Sequence, residues 1–147
     1  MNIGLVGLVM ALCFSAFGSG CGIGVAANAA VGGWKKCYAK GKPASFMLVA
    51  FTGAPLTQTI YGFLLMYLIN GALQGGLDQL FALAVGGLGG LVIGLSAYAQ
   101  GKCSAAACDA LAETGKGTAN YLIVIGIIET VALFTLVFCL LLLNSVA

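Results

Sequence analysis

The stretch that decides the fold is TANYLIVIGIIETVALFTLVFCLLLLN, residues Thr118 to Asn144, which is almost entirely apolar and contains one charged side chain, Glu129. It exceeds the roughly 20 residues that an α-helix needs to cross the hydrocarbon core of a bilayer. An ionised side chain in such a segment costs roughly 2.5–3.5 kcal/mol on insertion scales and usually has a function. No Lys or Arg lies within a predicted span to pair with it. Glu129 is therefore the first candidate site residue.

The composition of the whole chain indicates a membrane protein. Of its 147 residues, 61% are hydrophobic and 7% are charged, and the mean hydropathy is +1.10. A soluble domain has about 25% charged residues. The net charge of +2 is too small to favour nucleic-acid binding, and the absence of His argues against zinc or haem. We expect no resident cofactor.

Two features of the sequence are interpreted without a special role. No Lys precedes Lys35, so the N-terminus lacks the basic region of a cleaved signal and is expected to be the first helix itself. The six cysteines form no CxxC pair, and several lie in apolar runs where a thiol behaves as a small hydrophobic group. They are Cys13, Cys21, Cys37, Cys103, Cys108 and Cys139.

Charges and loop residues divide the chain into four apolar segments, each long enough to cross a bilayer. These are Asn2 to Gly32, Ser45 to Asn70, Leu77 to Gly101 and Thr118 to Asn144. All Lys residues fall in two connections, residues 33–45 and 102–117, which the lysine-bias rule predicts to be cytoplasmic loops. Both termini and the turn Gly71–Gly76 are then predicted to lie on the opposite side.

The two halves of the chain are similar to each other in the same orientation. Gln58 and Glu129 are 71 residues apart, and each is followed by Thr and preceded by a glycine-dense segment and a Lys-bearing connection. Parallel repeats are a known way to build transport proteins. We therefore predict an all-α membrane protein of two tandem duplicated hairpins, residues 1–72 and 73–147, of which the second has the carboxylate.

Glycine is concentrated in the first and third segments at helical spacing. One ladder consists of two interleaved GxxxG pairs, Gly18 with Gly22 and Gly20 with Gly24, and the other is Gly86, Gly90 and Gly94. Small faces let helices approach closely where lipid gives little hydrophobic drive for association. Each ladder could pack within its own hairpin, or the two could form the curved inner wall of a homo-oligomeric ring, which a duplicated chain favours.

The polar residues of the second segment lie at the spacing of one helix face. In APLTQTIY, residues 54–61, Thr57 and Tyr61 are four apart and Gln58 and Tyr61 are three apart. Pro55 removes a backbone amide and leaves carbonyl groups of the preceding turn partly free, among which we count that of Ala54. This face is therefore expected to present several oxygen atoms.

Gln100 closes the third segment, 29 residues before Glu129. Gln100 and Glu129 lie at the same depth in the membrane if residues 102–117 form a helix extension and a turn. The Glu129 carboxylate, the Gln58 and Gln100 amides, the Thr57 hydroxyl and the Ala54 carbonyl would then form one set of oxygens. Such a set suits a hard cation, since the oxygens replace its hydration shell. Tyr61 could donate a hydrogen bond to the carboxylate.

On these residues the chain resembles the membrane-rotor proteolipid of V-type rotary ATPases, known as the K or c subunit, over essentially its whole length. The resemblance rests on the glycine-dense first and third segments, on Glu129 in the fourth, and on the motif A-P-x-T-Q-x-x-Y at residues 54–61. It implies a ring of identical copies with the first and third helices inside. It also implies that Glu129 binds one Na⁺ or H⁺ per chain and that the protein is not an enzyme.

The resemblance also implies a ligand set and partners. In the family's sodium-carrying members the site is completed by the residues that match Thr57, Gln58, Tyr61, Gln100 and the backbone carbonyl of Ala54. The carbonyl residue is commonly Leu, so Ala54 departs from the pattern in side chain only. The implied partners are a stator membrane subunit with a buried arginine, central-stalk subunits of the soluble ATPase sector, and lipids.

Two other functions are compatible with parts of the pattern. A small-multidrug-type proton-coupled transporter has four helices and one key Glu, but that Glu normally lies in the first helix and the chain is not duplicated. A structural, pore-forming proteolipid would explain the glycines and leave Glu129 without a role. The native mass of the assembly distinguishes a ring of many copies from a dimeric transporter.

Overall fold

The computed structural model describes residues 2–146, which form five α-helices and no strand. The helices are α1 (Ile3–Ala39), α2 (Met47–Gly53), α3 (Thr57–Gln74), α4 (Gln79–Thr114) and α5 (Thr118–Val146). A short 3₁₀ helix, Ala54–Leu56, joins α2 to α3, so these two make one span. Four spans are thus long and apolar enough to cross a membrane, and the predicted all-α fold is confirmed.

The helices continue beyond the apolar segments, so the prediction of loops is wrong for residues 33–39 and 102–114, and the alternative of a helix extension and a turn after Gln100 is correct. α1 ends at Ala39 and α4 ends at Thr114. The two helices stay paired there, with Lys36 Nζ 2.6 Å from Oδ1 of Asp109. The alanine-rich sequence of α4 in this region favours helix. The appearance of charges therefore marks the end of the apolar segment and not the end of the helix.

The connections that remain are short, and glycine makes two of them possible. Gly115 ends α4 with a φ of 65°, and its N–H donates to the carbonyl of Leu111 at 2.8 Å. This left-handed conformation is easy for glycine and strained for other residues. At the other end α3 runs to Gln74, so the predicted turn Gly71–Gly76 begins later than expected, and its Gly76 has a φ of 100°.

The most extensive helix pairing is that of α1 with α4, and glycine makes it close. A Cβ atom added at Gly18 would meet the backbone of Gly94, and one added at Gly101 would meet the backbone of Gly22. Contacts that advance together along both helices show that α1 and α4 run parallel. The glycine ladders therefore join the first span to the third, and the alternative of packing within one hairpin is wrong.

Only part of the first ladder is used inside the chain. Gly20 and Gly24 are exposed, and a Cβ atom at either would meet no heavy atom within 4 Å. Gly18 and Gly22, offset by two residues, are buried against α4. Of the two interleaved GxxxG pairs, one packs the monomer and the other faces outward.

The remaining spans form a second layer on the α1–α4 pair. α3 packs on α1 and α4, and α5 packs on α4 and α3. The buried apolar residues form two clusters, one towards the glycine turn around Leu65 and Ile93 and the other towards the Lys-bearing end around Phe51 and Leu111. Between them, at the middle of the spans, lie the polar residues that the sequence singled out.

Candidate functional site

The helix of the second span breaks at Pro55, immediately before its polar face. Proline lacks the amide hydrogen and its ring obstructs the preceding turn, which fits the change to a 3₁₀ helix at Ala54–Leu56. The carbonyl oxygen of Ala54 accepts a hydrogen bond from the Thr57 hydroxyl at 3.1 Å. The break thus presents a backbone carbonyl and a hydroxyl side by side at the start of α3.

The two glutamines are buried in the centre of the bundle and contact each other. Gln58 on α3 and Gln100 on α4 are both 0% exposed. Nε2 of Gln58 donates to Oε1 of Gln100 at 2.7 Å, and the Thr57 hydroxyl lies 3.2 Å from Oε1 of Gln58. Buried amides need such partners because an unsatisfied polar group costs roughly 1–3 kcal/mol. The amides are therefore held by each other and by neighbouring groups of the protein.

Glu129 completes the cluster from α5. Its Oε1 accepts a hydrogen bond from the Tyr61 hydroxyl at 2.7 Å, and its Oε2 accepts one from Nε2 of Gln100 at 3.3 Å. Glu129 is only half-buried, so its carboxylate lies at the outer edge of a cluster whose inner members are closed off. The two side chains that donate hydrogen bonds to this carboxylate, Tyr61 and Gln100, are neutral.

No cation of the chain neutralises Glu129 within residues 2–146. The ion pairs there join Lys36 to Asp109 at 2.6 Å and to Glu113 at 3.9 Å, far from the middle of the spans. The charge of an ionised Glu129 must therefore be balanced by something that is not part of this chain. A bound cation or a proton would do so.

All six predicted site residues are brought together by the structure. Their polar groups lie in one line from the Ala54 carbonyl through Thr57, Gln58 and Gln100 to Glu129, each within 3.3 Å of the next, and Tyr61 joins the line from the other side. The helix extension and the turn after Gln100 do place it at the depth of Glu129, as the sequence analysis required. The cluster has several neutral oxygens and one carboxylate, a chemistry suited to a hard monovalent cation or to a proton.

Sequence reasoning missed two contacts beside this cluster. Nε2 of Gln100 also donates to the backbone carbonyl of Ile125 at 3.0 Å, and the Ser96 hydroxyl donates to that of Ile128 at 2.9 Å. A signal for Ser96 was present, since it precedes Gln100 by four residues and so shares its helix face. Nothing in the sequence marks which carbonyl groups of α5 accept these bonds.

The geometry defines a class, a helical protein of four candidate membrane spans with one carboxylate at the edge of a buried polar cluster, and the comparison with known families agrees with it. Residues 83–142, less than half of the chain but including Gln100 and Glu129, match the family of the ATP synthase C subunit. Proteins of this family are non-catalytic membrane proteins that form oligomeric rings. With its four spans the chain is an integral, multi-pass membrane protein. No match was found among curated proteins.

Proposed function

We propose that this chain is the ion-carrying rotor subunit of a V-type rotary ATPase and that the ion is Na⁺. The observation that carries the proposal is the cluster of polar groups that ends on Glu129 and includes the Ala54 carbonyl, the Thr57 hydroxyl and the Gln58 and Gln100 amides. The similarity of residues 83–142 to the ATP synthase C subunit supports the rotor role, and the polar cluster supports the choice of ion.

Na⁺ is favoured over H⁺ because the cluster contains more polar groups than proton transfer needs. Proton transfer needs the carboxylate and one hydrogen-bond partner, which Tyr61 already supplies at 2.7 Å. Thr57, Gln58 and Gln100 add polar groups that a proton carrier does not require, and the two glutamines are fully buried, which costs desolvation free energy. A cation uses their oxygens as ligands in place of water.

The mechanism follows from the electrostatics of one carboxylate in lipid. An ion enters from one aqueous half-channel of a stator subunit and neutralises Glu129, so that this copy can turn through lipid. A stator arginine then displaces the ion into a second half-channel, and the carboxylate is paired while it is charged. Each unit charge that crosses 100 mV exchanges about 2.3 kcal/mol with the field, so the ring sums the work of many copies. Central-stalk subunits transmit the rotation to the soluble sector, where ATP chemistry occurs.

The first prediction tests the ion. A hydrophobic carbodiimide reacts with a protonated carboxyl, so it should label Glu129, and millimolar Na⁺ should slow that labelling because a bound cation keeps the carboxylate deprotonated. The protection should strengthen as pH rises, since fewer protons compete. Gln100→Ala and Thr57→Ala should each raise the Na⁺ concentration for half-protection by about tenfold, the value for losing a ligand worth about 1.4 kcal/mol. The measurement is the labelling rate of the purified protein against Na⁺ and pH.

Thr52→Ala is the matched control for Thr57→Ala. The Thr52 hydroxyl donates to the carbonyl of Leu48 at 2.8 Å within its own helix and takes no part in the cluster. Its loss should leave Na⁺ protection unchanged. If labelling of the wild-type protein depends on pH alone and is indifferent to Na⁺, the ring carries protons and the amides only join helices.

The second prediction concerns the orientation of the chain. With all Lys residues at one end, we propose that this end is cytoplasmic and that the turn between α3 and α4 faces the other side. In a background without the native cysteines, a membrane-impermeant thiol reagent added from the cytoplasmic side should label Lys40→Cys and not Gly75→Cys. Both positions are exposed. Labelling of both from one side would contradict the proposed topology.

A further inference from the structure

α5 is the span that packs least against the rest of the chain. Of its residues only Ile125, Ala132 and Leu143 are buried, and most of its apolar side chains face outward. α5 is also the helix that carries Glu129. Its rotation and height relative to α4 therefore determine where the carboxylate lies, and few side chains interlock to fix them.

Four interhelical hydrogen bonds hold α5 in the described part of the chain, and they are of two kinds. Two end on the Glu129 carboxylate, from Tyr61 at 2.7 Å and from Gln100 at 3.3 Å. Two end on backbone carbonyl groups, from Gln100 to Ile125 at 3.0 Å and from Ser96 to Ile128 at 2.9 Å. The first kind depends on where the carboxylate points, and the second kind does not.

Ion exchange disturbs three of these four bonds if the proposed function is correct. A cation shares the carboxylate oxygens with Tyr61 and Gln100. Gln100 must also present its amide oxygen to the ion, which disturbs the bond from its Nε2 to the Ile125 carbonyl. When the carboxylate turns towards a stator, both bonds that end on it are released. The bond from Ser96 to the Ile128 carbonyl contains no ligand atom, so it can persist throughout the cycle.

The environment of Ser96 fits a permanent tether. Its side chain is 6% exposed, and Ile128 immediately precedes Glu129. One helical turn later Ala132 is 0% exposed, so this face of α5 lies against its neighbours. A carbonyl oxygen has two lone pairs, so that of Ile128 can accept from Ser96 as well as from its own helix. A donor at this point restrains the rotation of α5 next to the carboxylate.

We propose that Ser96 is a positioning residue, whose hydrogen bond to the Ile128 carbonyl keeps α5 in register on α4 while Glu129 exchanges its ion. Ser96 does not contact the ion. Its effect is to limit the movement during exchange to the Glu129 side chain, so that the carboxylate returns to the same set of oxygens. This inference rests on the proposed function for its role in ion exchange, and on the contacts alone for its effect on α5.

The test compares Ser96→Ala with Ser96→Thr and Ser15→Ala in the assembled protein. Ser15 is a control for the loss of a buried hydroxyl away from α5, since its hydroxyl donates to the carbonyl of Ala11 at 2.8 Å in its own helix and lies 3.4 Å from that of Gly90 on α4. Ser96→Ala should raise the Na⁺ concentration for half-protection of Glu129 by about 2- to 10-fold, the range for loss of one neutral buried hydrogen bond. Ser96→Thr, which keeps the hydroxyl, should stay within about 2-fold of the wild type, as should Ser15→Ala.

A second readout does not depend on the ion. In a background without native cysteines, a spin label at Ile127, which is 61% exposed on α5, should become more mobile in Ser96→Ala and not in Ser15→Ala. If Ser96→Ala does not assemble, Ser96→Cys replaces it in the Na⁺ measurement, with the same expected direction because the thiol is only a weak donor.

The outcomes separate the two proposals. If the wild-type protein shows no Na⁺ protection, the proposal of Na⁺ is wrong, and the spin-label mobility still decides the role of Ser96. If Na⁺ protects the wild type but Ser96→Ala matches it in midpoint and mobility, the positioning role is wrong and the proposed function stands. The positioning role is also wrong if Ser96→Ala and Ser96→Thr, or Ser96→Ala and Ser15→Ala, weaken Na⁺ protection of Glu129 equally. In that case the loss of the Ser96 hydroxyl would not be the cause.

Discussion

If the proposed rotor function is correct, replacing Glu129 with glutamine should abolish ion-coupled ATPase activity and leave assembly of the ring intact. Glutamine has nearly the same shape and can still accept from Tyr61, which donates to the carboxylate at 2.7 Å. It has no charge to bind a cation and no proton to exchange at physiological pH. Coupling in the reconstituted complex should fall to background, while native mass should give the same closed ring of many copies as the wild type.

Glu113→Gln is the control for this substitution. Glu113 is an exposed carboxylate at the Lys-bearing end, 3.9 Å from Lys36, and a surface pair of this kind is worth about 0–1 kcal/mol. Its loss should leave coupling close to that of the wild type. Wild-type coupling in Glu129→Gln would contradict the rotor function, and a dimer in place of a ring would favour the transporter.

Adding one methyl group at Gly18 is expected to destabilise the chain, because the contact between α1 and α4 has no room for it. A Cβ atom there would meet the backbone of Gly94, which cannot move aside as a flexible side chain would. Overpacking of this kind costs about 1–3 kcal/mol. The free energy of unfolding of Gly18→Ala should fall accordingly, measured by the loss of helical circular dichroism in mixed micelles with increasing sodium dodecyl sulfate.

Gly20→Ala separates this packing effect from the general effect of glycine in a helix. Gly20 lies on the same helix, and a Cβ atom there would meet nothing within 4 Å. Alanine in a helix interior is more stable than glycine by roughly 0.5–1 kcal/mol, so the single chain should be unchanged or slightly stabilised. A loss of stability in Gly20→Ala equal to that in Gly18→Ala would show that close approach of α1 and α4 is not the reason.

Most of the candidate site could be predicted because helix periodicity relates sequence spacing to a common face. Thr57, Gln58 and Tyr61 are three and four residues apart, and all three join the cluster. Gln100 and Glu129 required one more assumption, that the chain between them forms a helix extension and a short turn. That assumption held because α4 continues to Thr114 and α5 begins at Thr118.

The helix ends were predicted less well, for a physical reason. Hydropathy reports where a segment can lie in lipid, while a helix persists as long as its backbone hydrogen bonds and side-chain contacts are favourable. Lys36 and Asp109 lie outside the predicted apolar segments, yet both are helical and form an ion pair between α1 and α4. Charged residues therefore ended the predicted spans too early.

The sequence by itself determined that the chain lies in a membrane, how many spans it has, that one carboxylate is isolated, and on which helix faces the partners of this carboxylate lie. Only the tertiary structure decided that α1 packs on α4, that Gly18 is in that contact while Gly20 is not, and that Ser96 holds the carbonyl before Glu129. The reason is that in a membrane protein both the lipid-facing and the protein-facing sides of a helix are apolar. Periodicity therefore identifies residues that share a face, and close contact between particular helices selects the neighbour that the face meets.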